Sequence, residues 1–102
     1  MLNVSLSCVF PAFNEEENIG VSVDRTRSVL NRLVDAGSIF DWEIIVVDDG
    51  SLDGTSQKVR SFRDARVRLL KHPSNRGYGA TLKTGFESAR MSHVFFTDAD
   101  LQ

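Results

Sequence analysis

Glu43-Ile44-Ile45-Val46-Val47-Asp48-Asp49-Gly50-Ser51 is the stretch on which the fold turns. Ile44 to Val47 form an unbroken β-branched run. Such side chains favour extended backbone, and a run without polar alternation reads as a strand buried on both faces, the habit of parallel sheets covered by helices. The run stops at two carboxylates, a glycine and a serine. In open α/β sheets ligands bind at the carboxyl ends of central strands, which puts Asp48 and Asp49 at the expected functional edge. Taken alone, Asp-Gly-Ser is explained equally well by a solvated turn carrying a helix cap.

Working outward, Val4 to Phe10 reads as the first strand, stopped by Pro11, which lacks a backbone donor. Asn14 is expected to cap the next helix, with Glu17 closing a capping box. Ile19, Val23, Leu30, Leu33 and Val34 recur on one side at helical spacing, and Gly37 marks the exit. Beyond Gly50, Ser51 or Asp53 can cap a shorter helix running to about Phe62 or Arg63, with Val59 and Phe62 as a weak apolar stripe. Val67 to Leu70 is the third strand, and the flanking Arg66 and Arg68 point to an edge or near-edge position. His72 to Gly77 reads as a loop. A helix follows from about Tyr78 to Arg90, with Leu82, Phe86 and Ala89 inward. Gly79 and Gly85 each weaken it by roughly 1 kcal/mol relative to Ala, which suggests close approach to the sheet or a ligand. Val94 to Thr97 is the fourth strand. The alternation predicts an α/β, Rossmann-like parallel sheet with right-handed crossovers and helices on both faces.

A chain of 102 residues, 41% hydrophobic with seven Phe, makes one small domain. Its net charge of -2 argues against a general nucleic-acid binder. The charge is uneven: Glu15, Glu16, Glu17 and Asp24 lie early, whereas Lys58, Arg60, Arg63, Arg66, Arg68, Lys71 and Arg76 crowd a later stretch. That stretch reads as the solvated face of a helix plus an edge strand, or else as a surface facing phosphates or anionic lipid. Cys8 is the sole cysteine, so no intrachain disulfide forms, a reducing compartment is the default, and Cys8 reads as a small core residue. Leu2 to Phe10 does not read as a signal peptide, and nothing approaches the roughly 18 apolar residues needed to span a bilayer.

Carboxylates fall at equivalent places: Glu15 after strand one, Asp48 and Asp49 after strand two, Asp98 and Asp100 after strand four. If those strands are neighbours, the groups line one cleft, where like charges raise one another's pKa unless a cation joins them. Asp98 and Asp100, two apart, present both carboxylates on one side of an extended backbone, as hard oxygen ligands for Mg2+ or Mn2+; a turn with Asp98 as a cap is the plainer account. Arg76-Gly77-Tyr78-Gly79-Ala80 is neither a dinucleotide fingerprint nor a Walker A loop, yet its amides can receive a phosphate, with Lys71 and Arg76 to neutralise a diphosphate. His72 and His93 lack a paired ligand or nucleophile and read as surface residues. Tyr78 and Trp42 read as packing residues.

Four stretches in order carry a resemblance: Val9 to Glu16 (VFPAFNEE), Glu43 to Thr55 (EIIVVDDGSLDGT), Asn75 to Ala80 (NRGYGA) and Thr97 to Gln102 (TDADLQ). Together they resemble the ordered motifs of family 2 glycosyltransferases with the GT-A fold, nearest to dolichyl-phosphate mannose synthases and bacterial polyprenol-phosphate glycosyltransferases. The resemblance implies that Pro11, Phe13 and Glu15 frame the nucleoside, with Phe13 where Tyr is frequent. It implies that one of Asp48 and Asp49 contacts the base or ribose. Asp98 and Asp100 match the metal-binding pair and Gln102 a third ligand. Lys71, Arg76 and Asp98 complete the expected donor-binding set.

The implied activity is inverting, metal-dependent transfer of a sugar from a UDP- or GDP-linked donor to a polyprenol phosphate or glycan in the cell envelope. It would take place at the cytoplasmic face of a membrane, with Mg2+ or Mn2+ holding the donor diphosphate. Residues 1–102 would then be the nucleotide-binding half of an apparently truncated GT-A domain, with the acceptor loop, any catalytic base and the membrane-associated parts beyond Gln102. Two alternatives remain at this level. One is a non-catalytic nucleotide- or metal-binding module; the other is a receiver-like phospho-acceptor domain, for which the position of Asp48-Asp49 and the lack of a late-strand Lys are a poor layout.

Overall fold

The computed structural model describes residues 3–98. Seven elements alternate: β1 (Ser5–Ala12), α1 (Ile19–Asp35), β2 (Asp41–Asp48), α2 (Thr55–Arg60), β3 (Val67–Lys71), α3 (Tyr78–Ser88) and β4 (His93–Phe96). The strands form one parallel sheet in the order β3-β2-β1-β4. The expected α/β, Rossmann-like parallel sheet is therefore present. β3 lies at an edge, as its arginines suggested.

Alternation along the strands sorts side chains between two cores. Cys8, Phe10, Ile44 and Val46 face α1 and α2, joined by Ile19, Val23, Leu30 and Val59. Val9, Ile45 and Val47 face the other way, against Leu70, Leu82 and Ala89. β2 is buried from Trp42 onward, consistent with a strand covered on both sides. Burial pushes the Cys8 thiol up to about 12, in keeping with an inert core residue.

Three local expectations give way to tertiary demands. Pro11 lies inside β1, opposite Val47. The Val9 carbonyl accepts from the Thr97 amide, whereas that of Ala12 accepts from Asp49. Pro11 shares the parity of Val9, so its missing N–H faces β4, where the ladder ends, and the β2 ladder continues past it. Asn14 does not cap α1, which begins at Ile19 after Asn18. Instead Asn14, at φ 53°, accepts from the Leu52 amide at 2.9 Å, and its own amide donates to Ser51 Oγ at 2.8 Å. Phe86 is half-exposed rather than inward, packed edge-on against Phe96 at 6.0 Å.

Gly85 bears out the expected close approach of α3 to the sheet. A Cβ there would stand 2.3 Å from Val9 Cγ1, whereas Gly79 has open space. Gly37 ends α1 at φ 76°, as expected of a left-handed exit.

Candidate functional site

The carboxyl ends of β1 and β2 and the start of α3 enclose a cleft of about 240 Å³. Pro11, Ala12, Phe13 and Glu15 form one wall. Asp49, Asn75, Gly77, Tyr78 and Thr81 form the other, with Asp98 beside them. Of the predicted site residues, the structure thus brings together Pro11, Phe13, Glu15, Asp49 and Asp98. Phe13 is 43% exposed and Tyr78 54%, so two aromatic rings are open to the cleft. For Tyr78 this corrects the expectation of a packing residue. Trp42 does pack, buried with its indole N–H on Asn31 Oδ1 and the Arg66 guanidinium over its ring.

Adjacent residues in a strand point to opposite faces, so the Asp48-Asp49 pair is split. Asp48 turns toward α2, accepting from the Ser51 amide at 2.9 Å and from the Ser56 hydroxyl, and it does not line the cleft. Asp49 turns toward α3, 4% exposed. Its Oδ1 accepts from the Arg76 amide at 2.9 Å and lies 2.7 Å from His72 Nδ1, and its Oδ2 accepts from the Gly77 amide at 2.9 Å. Burial pushes this carboxyl up, but His72, the two amides and Thr81 outweigh it and hold the group below the usual carboxylate range. The rise expected from crowded carboxylates is thus not found at Asp49, where burial is what pushes up and these donors prevail.

His72 was expected at the surface and is 5% exposed. Its Nε2 lies 2.8 Å from Thr84 Oγ1 on α3. A polar residue one position beyond an edge strand, after two acidic residues at the next strand's end, is the signal that could have found it. Glu43 is a second missed residue, buried at the opposite end of β2. It accepts from Ser7 Oγ at 2.6 Å, from Arg68 at 2.8 Å and from the Arg90 amide at 2.7 Å. Burial raises the Glu43 carboxyl, and these bonds with the Arg68 charge bring it below its ordinary range. The alternation that puts Glu43 and Arg68 on one face of the sheet was readable.

Two members of the basic stretch are tied into the fold, Arg66 to Asp41 at 3.3 Å and Arg68 to Glu43, whereas Lys58, Arg60 and Arg63 are exposed. Lys71 is exposed at the end of β3, beside a shallow depression with Leu52 and Pro73, outside the cleft. Arg76 contributes its amide to Asp49, and its side chain is not part of the cleft wall. The amides of Arg76 and Gly77, considered for phosphate, are thus already engaged. His93 is exposed, as expected.

Tyr78 donates to Asp98 Oδ1 at 3.3 Å, and burial together with the Asp98 charge pushes the phenol up. Asp98, exposed at the cleft, offers a hard oxygen donor of the kind a divalent cation takes. Asp100 and Gln102 lie outside the described residues, and no cluster of three or more His, Cys, Asp or Glu suited to an ion is found among those described. Likewise, no described helix is long and apolar enough to cross a membrane.

The glycosyl transferase family 2 model matches residues 7–102. The chain belongs to that family. It is 39% identical over 94 residues to dolichyl-phosphate beta-glucosyltransferase ALG5C of Trichomonas vaginalis, covering 90% of this chain and 28% of that protein. The mannosyltransferase PcManGT from Pyrobaculum calidifontis, solved with GDP-Man and Mn2+, superposes with a TM-score of 0.78 at 25% identity, covering 98% of this chain and 28% of the other. Glucosyl-3-phosphoglycerate synthase from Mycobacterium tuberculosis, solved with Mn2+, UDP and glucosyl-3-phosphoglycerate, superposes at 0.73 with 28% identity, covering 97% and 34%. The family 2 chain thus spans under a third of the length of the curated relatives it matches. Its sheet is that of a GT-A nucleotide-binding fold.

Proposed function

We propose that residues 1–102 form the sugar-nucleotide-binding portion of an inverting, metal-dependent glycosyltransferase whose acceptor is a polyprenol phosphate. The observation that carries this reading is the cleft at the carboxyl edge of the sheet, where Phe13, Glu15, Tyr78 and Asp98 meet. Phe13 and Tyr78 offer ring faces to a planar base, and Glu15 an acceptor to hydroxyls or ring N–H groups. Pro11 and Ala12 continue the wall of Phe13; Asp49 orders the loop that makes the far wall. In the reaction the acceptor oxygen attacks the anomeric carbon as its bond to the diphosphate breaks, and the configuration inverts. Asp98, with Asp100 and Gln102, would hold Mg2+ or Mn2+, which when bound neutralises charge on the donor diphosphate. Lys71 and Arg76, whose side chains do not line the cleft, would neutralise that diphosphate from outside it in the same reading.

The names of the relatives support a lipid-phosphate acceptor, and both UDP and GDP occur among the related complexes. The intact enzyme would work at the cytoplasmic face of a membrane. A chain spanning so little of its relatives is proposed to bind donor without efficient transfer. Calorimetric titration with UDP and with GDP, each with and without Mn2+, tests this. Binding that is strengthened by Mn2+, and loss of only that increment in Asp98→Ala, is expected. Metal-independent binding unchanged by Asp98→Ala overturns the metal assignment, and efficient sugar transfer by the 102 residues overturns the division of labour.

A further inference from the structure

Asp49 holds two amides of a loop to which it does not belong, and it does so only while its carboxylate is turned toward them. Beside Thr81, the buried side chain that meets the carboxylate in that orientation is His72. Its backbone is anchored, the amide donating to the Asp48 carbonyl at 2.9 Å. Its ring bridges two elements, with Nδ1 2.7 Å from Asp49 Oδ1 and Nε2 2.8 Å from Thr84 Oγ1. An ionised carboxylate only accepts, so Nδ1 carries the proton. The flat, buried ring is thus held at both ends, against a carboxylate whose Oδ1 and Oδ2 meet the amides of Arg76 and Gly77.

We propose that His72 is a positioning residue for nucleotide binding: held between Asp49 and Thr84, it locks Asp49 onto the 76–77 amides and so sets the cleft wall of Asn75, Gly77 and Tyr78. The proposal rests on the nucleotide-binding reading above. His72 is not part of the cleft lining, so its effect on a ligand passes through Asp49. Gly50 stiffens the same loop from below. Its α-carbon is so near the chain that an added Cβ would lie 2.6 Å from Ser74 C and 2.7 Å from Asn75 N. The loop has one seat on β2, and the ring keeps it there.

The test compares three variants of the intact protein by calorimetry with UDP and with GDP, in Mn2+, and by amide hydrogen exchange without nucleotide. His72→Leu fills similar space and removes both ring hydrogen bonds. His72→Asn sets an amide donor near the place of Nδ1 and restores the bond to Asp49. Thr84→Val removes the second partner, together with that hydroxyl's bond to the Ala80 carbonyl, and guards against a His72→Leu chain that does not fold. The expected result for His72→Leu is affinity about tenfold weaker and exchange at Arg76 and Gly77 about tenfold faster, the size of one lost charge-assisted hydrogen bond. His72→Asn should stay near the wild type in both, and Thr84→Val should fall between. Unchanged affinity and exchange in His72→Leu overturns the proposal, as do equal losses in the Leu and Asn variants. Wild-type protein that binds neither nucleotide overturns the nucleotide reading, and the exchange comparison then decides the loop-holding role by itself.

Discussion

Asp48 and Asp49 are chain neighbours with separate tasks. One carboxylate secures the turn into α2 through Ser51 and Ser56, and the other secures the approach to α3. Asp49 and Glu43 both ionise below the ordinary carboxylate range in the folded chain. Their ionisation therefore favours folding fully above the unfolded-chain values of about 4, and that contribution is lost as pH falls through the folded values. Denaturant unfolding between neutral and acid pH should show stability falling on acidification. Asp49→Asn should flatten that fall and cost about 2–3 kcal/mol at neutral pH, the loss of charge-assisted bonds to the loop. An unchanged acid slope in the variant would remove Asp49 from the account. That these carboxylates sit at a strand end was legible from the run before them. Their opposite facing was legible from alternation. Their partners were not: His72, Ser56 and the 76–77 amides are distant in sequence, and no local pattern announces a pairing made by tertiary folding.

At the scale of elements, strands and helices followed from periodicity, because four β-branched residues or an apolar stripe admit few other uses. What periodicity did not carry was the price of contact between elements. Asn14 has the composition of a helix cap, yet its side chain serves the β2–α2 loop, and the residue that precedes α1, Asn18, lies four residues after the expected cap position. The glycines separate cleanly by environment. Gly85→Ala should destabilise by about 1–3 kcal/mol because Val9 cannot yield without disturbing the inner core. Gly79→Ala, in open space, should be neutral or stabilise by up to about 1 kcal/mol through helix propensity. Denaturant midpoints of the two variants check this, and equal shifts would contradict it. Gly50→Ala combines a φ of 77° with a clash against backbone, so a loss of about 2 kcal/mol or more is expected by the same measurement.

The whole molecule is unevenly covered. β4 is bonded to β1 alone among the described residues, and Val94, Phe95 and Phe96 are 41%, 39% and 48% exposed. A bare edge flanked by apolar rings is a template for pairing. The 102-residue chain should therefore self-associate as concentration rises in sedimentation velocity runs, and Phe95→Lys should reduce that association. A monodisperse monomer at high concentration would count against it. The exposure of β4 was not legible, since Val-Phe-Phe in isolation reads as core.

Glu43 and Asp49, buried near opposite ends of β2, have a joint mechanical consequence. Asp49 grips the amides leading into α3, and Glu43 grips the Arg90 amide just past its end, while Arg68 holds the Ser88 carbonyl. The helix is a beam pinned to β2 at both ends and braced by Arg68 of β3, with Gly85 resting on Val9 in the last turn. A beam so supported neither tilts nor slides unless the strand beneath it goes too, so α3 and β2 should open together in hydrogen exchange. The facing wall is hung differently, from exposed bonds joining Asn14 and Glu16 to Ser51, Leu52 and Asp53 and one half-buried bond from the Glu15 amide to Thr55 Oγ1. Any breathing of the cleft then belongs to residues 13–17, with the α3 side acting as the fixed jaw.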